Sequence, residues 1–414
     1  MNKKLIGMLL LGFASGLPYM LVFSTLSAWL RDVGISLTEI GFFAWLVLTY
    51  SLKFIWAPVV DRYAIPMLGH LGKRKSWIFL SQIMILLALL GMSAIDPITN
   101  LQALALFAFL AAFFGSVQDI AIDALRIEMG EAKEQGNLAA SYQFGYRIAI
   151  LVATSIALIF ADLIDWSNVY QIMSLLMVLG MLGAFICDES VNHEIEIVRI
   201  DVALVNSFKD FFTRFGLWTA SLLLLIIATY RLTDIVMGPM AMPFYLDMGF
   251  TKTEIGALVK TVALLASIFG FFVGGYLIKH LRISTSLIIG GVSVLVTNLF
   301  FAFVASSEQS ISLLSLVVGL DSFAAGLVGT INIAFLTSLV SKKYTAVQYA
   351  MLTSFMMLPG KLFSGFSGLL ADYYISISSL QMGWTYFFYT TSAMAIPAIF
   401  FIAIYKQYHE IHST

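Results

Sequence analysis

Arg147, Arg231, Lys260 and Lys361 stand inside segments that are otherwise apolar, and Asp119, Asp123, Asp234 and Asp321 lie at similar depth. A charge at the centre of a membrane helix costs about 3 kcal/mol on insertion scales, so such residues default to functional candidates. Cations at that depth can hold an anionic solute, arginine bidentately through its planar fork. Carboxylates can carry protons. Both sets together describe a polar pathway through an apolar bundle rather than a passive anchor.

The elements that must position these groups are legible from composition. Of the 414 residues 60% are hydrophobic and 11% charged, with a mean hydropathy of +0.92. This excludes an ordinary soluble domain. Runs of about 20 apolar residues read as membrane-spanning helices. The pattern predicts twelve, at 5–30, 40–60, 77–95, 101–125, 138–161, 168–187, 216–246, 254–278, 283–304, 311–340, 346–374 and 382–405. The fold class expected is an all-α membrane protein. The first run is too long for a signal-peptide core and reads as a retained span. A single cysteine, Cys187, excludes an internal disulfide and a cysteine-based metal cluster.

Residues 188–215 form the longest polar stretch and divide the chain into a 1–187 bundle and a 216–414 bundle of six spans each. Two related six-helix halves around a polar linker resemble the outline of the major facilitator superfamily, whose substrate site lies between the halves. With both termini cytoplasmic, the inner loops and tails hold sixteen of the 23 lysines and arginines, and the outer loops only Arg31 and Lys252. That asymmetry follows the positive-inside rule. Pro18 is expected to interrupt the first span, and Pro239 and Pro243 the seventh, its counterpart; paired broken helices point to a transporter site. Gly12/Gly16 and Gly270/Gly274 are small-residue pairs that allow close helix approach.

Arg147 in span five and Lys361 in span eleven occupy equivalent places in the two halves and are the first candidates for binding substrate, with Tyr146, Gln118, Lys260 and Arg231 beside them. The alternative for Arg147 is neutralisation by Asp119 or Asp123. Those two acids are four residues apart on one helix face and repel, which suits a shared proton. Asp123 also has a structural reading, as the partner of Arg126. Asp321 is a further proton candidate. Arg231 and Asp234 are three apart, the spacing of a same-helix ion pair. Lys260 and Lys53 have a snorkelling reading. All five histidines fall outside the spans, so a proton carrier should be a carboxylate. Histidine-poor spans and short loops also speak against a membrane-embedded transferase. No catalytic residue, cofactor or metal site is expected.

The loop after span two reads Asp61-Arg62, then Gly72-Lys73-Arg74-Lys75. It resembles the superfamily's inner-loop signature, and by that resemblance Asp61 and Arg62 would gate the cytoplasmic side. Several strings are similar to those of the AmpG-type muropeptide permeases: Gly12-Phe13-Ala14-Ser15-Gly16-Leu17-Pro18, Lys53-Phe54-Ile55-Trp56-Ala57-Pro58, Gln118-Asp119-Ile120-Ala121-Ile122-Asp123-Ala124, Gly145-Tyr146-Arg147, Tyr230-Arg231-Leu232-Thr233-Asp234 and Thr345-Ala346-Val347-Gln348-Tyr349-Ala350. The resemblance implies proton-driven import of anhydro-muropeptides across a bacterial inner membrane for cell-wall recycling. Buried cations would suit the peptide carboxylates of that cargo. Tyr19, Trp29, Tyr50, Tyr142, Tyr146 and Tyr245 are candidates for its sugar or for packing. Acetyl-CoA transporters are similar over the same regions. An acyl-thioester or a siderophore is therefore the alternative cargo, and a non-transporting ligand sensor the alternative role. The expected partners are an anionic glycopeptide, protons and the lipid bilayer. No nucleic acid is expected, and the protein should be a monomer.

Overall fold

The computed structural model describes residues 3–66, 68–129, 134–189, 200–341 and 345–412. Every regular element among them is helical, with no strand. An apolar solvent demands this, because each segment must satisfy its own backbone polar groups. Ten helices are long and apolar enough to cross a membrane. They are α1 (Lys3–Asp32), α3 (Lys73–Ser93), α4 (Leu101–Met129), α5 (Asn137–Ala161), α6 (Trp166–Ile186), α7 (Phe208–Asp247), α8 (Lys252–His280), α9 (Ile283–Ser306), α10 (Ile311–Leu339) and α12 (Leu380–Tyr408).

The two remaining expected spans are present but broken. We call them α2 (37–62) and α11 (345–376). A capping box of Ser36 and Glu39 starts α2. It then passes through 3-10 turns at Ala44–Val47 and Lys53–Ile55 before Ala57–Arg62. Pro58 stands in the first turn of that last piece, where its missing N–H costs nothing. The α11 helix divides into Thr345–Ser364 and Ser367–Ser376. At the join Ser364 and Ser367 donate to the carbonyls of Lys361 and Ser364, side-chain bonds that compete with the helical ladder.

Pro18 does not break α1. The helix continues to Met20, and the irregularity comes one turn later as a π-turn at Leu21–Thr25. The α7 helix is interrupted as expected, at Arg231 and at the 3-10 turn Gly238–Met240. Of the polar stretch 188–215, residues 190–199 lie outside the described set. From Ile200 onward the chain is already helical and runs to Tyr230 through a kink at Gly216.

The chain divides into two compact units, Met1–Ile195 with Thr251–Ala257, and Glu196–Phe250 with Leu258–Thr414. In the first, α1 lies closest to α5. A Cβ on Gly12 would strike the Tyr142 carbonyl, and one on Gly145 the Leu9 carbonyl, so glycine is what lets the two backbones meet. Ser141 and Thr25 bond across the same seam to the carbonyls of Leu5 and Ala153, at 2.6 and 2.5 Å. Met8, Leu11, Val117, Ala121, Ile122 and Leu125 fill the core between α1 and α4. At one end, Lys252 meets Asp32 at 2.8 Å, and Trp166 donates to the same carboxylate at 2.7 Å.

In the second unit the closest approach is α8 against α10. A Cβ on Gly270 would strike the Phe323 carbonyl, and one on Gly326 the Ser267 carbonyl. Tyr230, Leu287, Val294, Leu327, Val328 and Phe335 form its core. Phe244, Phe301, Trp384 and Phe388 make an aromatic knot near the end of α7. Large apolar side chains such as Leu217, Trp218, Leu265 and Phe272 point outward and are mostly exposed. Lipid is the solvent that suits such a surface.

Candidate functional site

Each unit carries a buried polar cluster. In the first, Gln118 is completely buried on α4. Its amide donates to the Ala14 carbonyl of α1 at 2.9 Å, while its Oε1 has no protein partner. Asp119 follows, with Oδ1 also buried and unbonded. Ser15, next to Ala14 on α1 and 1% exposed, stands beside this carboxylate. The Tyr50 hydroxyl of α2 rests against Gly115, one turn before Asp119. Tyr142 of α5 lies within electrostatic reach of Asp119. Around them, Tyr19 meets Tyr50 edge-on at 5.1 Å, and the rings of Tyr142 and Tyr146 are 6.4 Å apart.

Lys53, not Arg147, is the cation that faces Asp119. It stands half-buried on the 3-10 turn of α2, so its role extends beyond the snorkelling reading. Asp123, with its side chain 45% exposed, meets Arg126 at 3.5 Å. Arg147 is exposed on α5. It is two residues from Gly145 and from Ala149, which face α1, and so points the opposite way at 3.6 residues per turn. Trp29 belongs to packing, with its ring 4.7 Å from Tyr170.

In the second unit Arg231 and Asp234 form the expected pair at 3.2 Å. It spans the break in α7: Arg231 has left helical geometry, and Asp234 lies in the turn that follows. Asp321 of α10 accepts from Thr297 of α9 at 3.3 Å and is within electrostatic reach of Asp234 and Tyr245. Behind them Thr391 donates to Asn298 at 2.9 Å, and Thr233 donates to the Thr391 carbonyl. Lys361 is buried to 8% exposure. Its neighbour Gly360 packs on Ile235 of α7, which places the lysine by the α7–α11 seam. The side chain of Lys260 lies outside the described residues.

The side chains of the gating candidates Asp61 and Arg62 also lie outside the described residues. Close to them in sequence, Arg74 is 2% exposed and bonds Glu128 of α4 through Nη2 at 2.8 Å and Nε at 3.0 Å. Glu189 accepts from the backbone N–H groups of Arg74 and Lys75 at 2.9 and 3.0 Å, a carboxylate on the positive end of α3. Gly72 turns with φ +117° directly beneath that carboxylate. The second unit has a looser equivalent. Arg214 reaches Asp210 at 2.9 Å, the Leu339 carbonyl at 2.8 Å and Gln348 at 3.1 Å, and Gln348 donates back to Asp210. In the sequence Arg74 belongs to the basic run after span two, and Arg214 and Asp210 to the polar stretch 188–215. Arg214 and Asp210 are four apart on one helix, a spacing that allows their pair, but Glu128, Leu339 and Gln348 come from helices distant along the chain and no local spacing announces them.

Buried ionisable groups in apolar helices, organised in two units, define a membrane transporter. The family model of the Major Facilitator Superfamily matches residues 8–364. The chain is 33% identical over 408 residues to a protein designated transporter AmpG 4 of Rickettsia conorii, covering 97% of this chain and 96% of that one. It is 30% identical over 402 residues to the anhydromuropeptide permease of Escherichia coli K12, covering 97% and 79%. Among solved structures, the nucleoside transporter NupG superposes with a TM-score of 0.70 at 13% identity, over 97% of this chain and 99% of that one. A D-xylose–proton symporter gives 0.70 at 11% identity, over 97% and 95%. The chain belongs to the major facilitator superfamily and, within it, to the AmpG-type transporters. It is a multi-pass membrane transporter of small molecules, not an enzyme.

Proposed function

We propose that this chain imports anhydro-muropeptides, GlcNAc-1,6-anhydroMurNAc and its peptides, across a bacterial inner membrane by proton symport. Support for the cargo comes from the permease relative, which is similar along nearly the whole chain. The observation that carries the proton drive is Asp119, a carboxylate with a buried, unbonded oxygen deep in an apolar helix. A charged group so placed is costly unless a proton or cation visits it. Asp321 is the corresponding acid of the second unit; Asp123, paired with Arg126, is the weaker third. Arg147 and Lys361 would hold the peptide carboxylates, with Arg231 and Lys260 contributing positive charge and Gln118 and Tyr146 polar contacts to the sugar. Asp61 and Arg62 would gate the cytoplasmic side, both termini would be cytoplasmic, and the transporter would act as a monomer on two halves, 1–187 and 216–414, joined by 188–215.

Counterflow in proteoliposomes tests the cargo. Labelled anhydro-muropeptide should exchange rapidly against unlabelled, while acetyl-CoA and a ferric siderophore should not. Exchange of either rival alone would reassign the cargo, and no exchange of any would favour a ligand sensor. Arg147→Ala should abolish exchange while the protein still inserts.

A further inference from the structure

Among the described residues of the first unit seven side-chain oxygens are buried without a hydrogen-bond partner, and four of them concern one place: Ser15 Oγ on α1, Tyr50 Oη on α2, and Gln118 Oε1 and Asp119 Oδ1 on α4. Separate contacts bring them to one place. Gln118 is tied to the carbonyl of Ala14, the residue before Ser15. Tyr50 rests on Gly115, one turn from Asp119. Tyr142 is within electrostatic reach of Asp119 and within hydrogen-bonding reach of Ser15. Buried oxygens are ordinarily paired, so four left open on three different helices form an unusual set.

We infer that this cluster binds a small monovalent cation of sodium size, coordinated by the Asp119 carboxylate and the Ser15, Tyr50 and Gln118 oxygens. All four donors are hard oxygens, the ligand type of alkali and alkaline-earth ions rather than of soft metals. The site contains one formal negative charge, which balances one positive charge, so a bound ion takes the place of Lys53 beside the carboxylate. A divalent ion would leave a surplus in apolar surroundings, with Lys53 already nearby. A proton on the carboxyl adds one donor to the hydroxyl donors of Ser15 and Tyr50, whereas a cation uses the lone pairs of all four oxygens. Two further charges bear on the site. Asp123, one turn along α4, adds negative potential moderated by Arg126. Lys53, on a flexible four-carbon stem, is the internal competitor. The ion and a proton would compete for the same carboxylate, so this inference goes beyond the proton drive proposed above.

The test is retention of ²²Na⁺ by the purified wild-type protein in sodium-free choline buffer, together with its thermal stability. Saturable ²²Na⁺ binding is expected, displaced by NaCl and not by choline chloride. Tm should rise with NaCl and not with an equal concentration of choline chloride. Asp119→Asn should lose binding, Ser15→Ala should weaken it several-fold, and Lys53→Met should tighten it by removing the competitor. Wild-type protein that retains no ²²Na⁺, or an Asp119→Asn variant that retains it equally, would overturn the inference. So would a Tm that responds to acid but not to sodium. Should Asp119→Asn fail to fold, the wild-type measurement and the Ser15→Ala shift decide alone. Cargo exchange by the wild-type protein in sodium-free medium is measured separately, so a failure of the cargo reading and a failure of this inference are distinguishable.

Discussion

Asp119 in the first unit faces neutral oxygens and a lysine it does not bond, whereas Asp234 and Asp321 in the second share Arg231 and Thr297. At the helix ends that carry the basic loops the arrangement reverses. There the first unit holds a nearly inaccessible ion pair, Arg74–Glu128, with side chains 2% and 14% exposed. The second holds a wetter one, Arg214–Asp210, at 32% and 25%. Both units contain the same kinds of charge, but each compensates them at a different level. In the first unit the rigid pair sits at the end and the interior carboxylate is left open to a visitor. In the second the interior acids already face an arginine and a threonine, which suits a structural charge that a cargo anion can perturb.

The largest effects should come from the end pairs. Arg74→Ala leaves Glu128 buried and alone and should cost about 3–5 kcal/mol. Arg214→Ala should cost about 1 kcal/mol, as for partly exposed pairs. Thermal unfolding in detergent measures both, and equal losses would erase the contrast. Inside the units, Arg231→Met should cost on the order of 3 kcal/mol by stranding Asp234, with much of it recovered when Asp234→Leu is added. Lys53→Met, which breaks no hydrogen bond to Asp119, should cost under about 1 kcal/mol. A large loss there would mean that Asp119 is compensated after all.

Glycine substitutions sharpen the picture at smaller magnitude. Gly145→Val forces a side chain into the Leu9 carbonyl of α1 and should destabilise by about 1–3 kcal/mol. Gly275, with nothing near a would-be Cβ, should accept alanine with a gain of about 0.5–1 kcal/mol.

Much of the outline could be read directly from sequence. Twelve spans are visible as apolar runs because lipid imposes that composition regardless of tertiary contacts, and ten of them are long apolar helices among the described residues. Pairs at helical spacing, Arg231–Asp234 and Asp123–Arg126, were equally legible, since three residues bring side chains onto one face. What escaped was non-local. Lys53 reads as a snorkelling cation until α2 is seen to break and present it to Asp119. Gln118 reads as an amide with both ends free until its nitrogen is found on the Ala14 carbonyl, leaving only its oxygen open. Arg147 offered Asp119 and Asp123 as neighbours by depth alone, but the α1–α5 seam turns it to the opposite face of α5. The breaks in α2 and α11 depend on serine-to-carbonyl bonds and 3-10 turns, which hydropathy does not register.

The central claim is that Asp119 exchanges a proton with the transport cycle. Its most direct measurement is accumulation of labelled anhydro-muropeptide in proteoliposomes under an imposed proton gradient in sodium-free buffer. Wild-type protein should concentrate the cargo and lose that ability with a protonophore, while Asp119→Asn should retain counterflow exchange and fail to concentrate. Accumulation by Asp119→Asn equal to wild type, or wild-type accumulation indifferent to the protonophore, would contradict it.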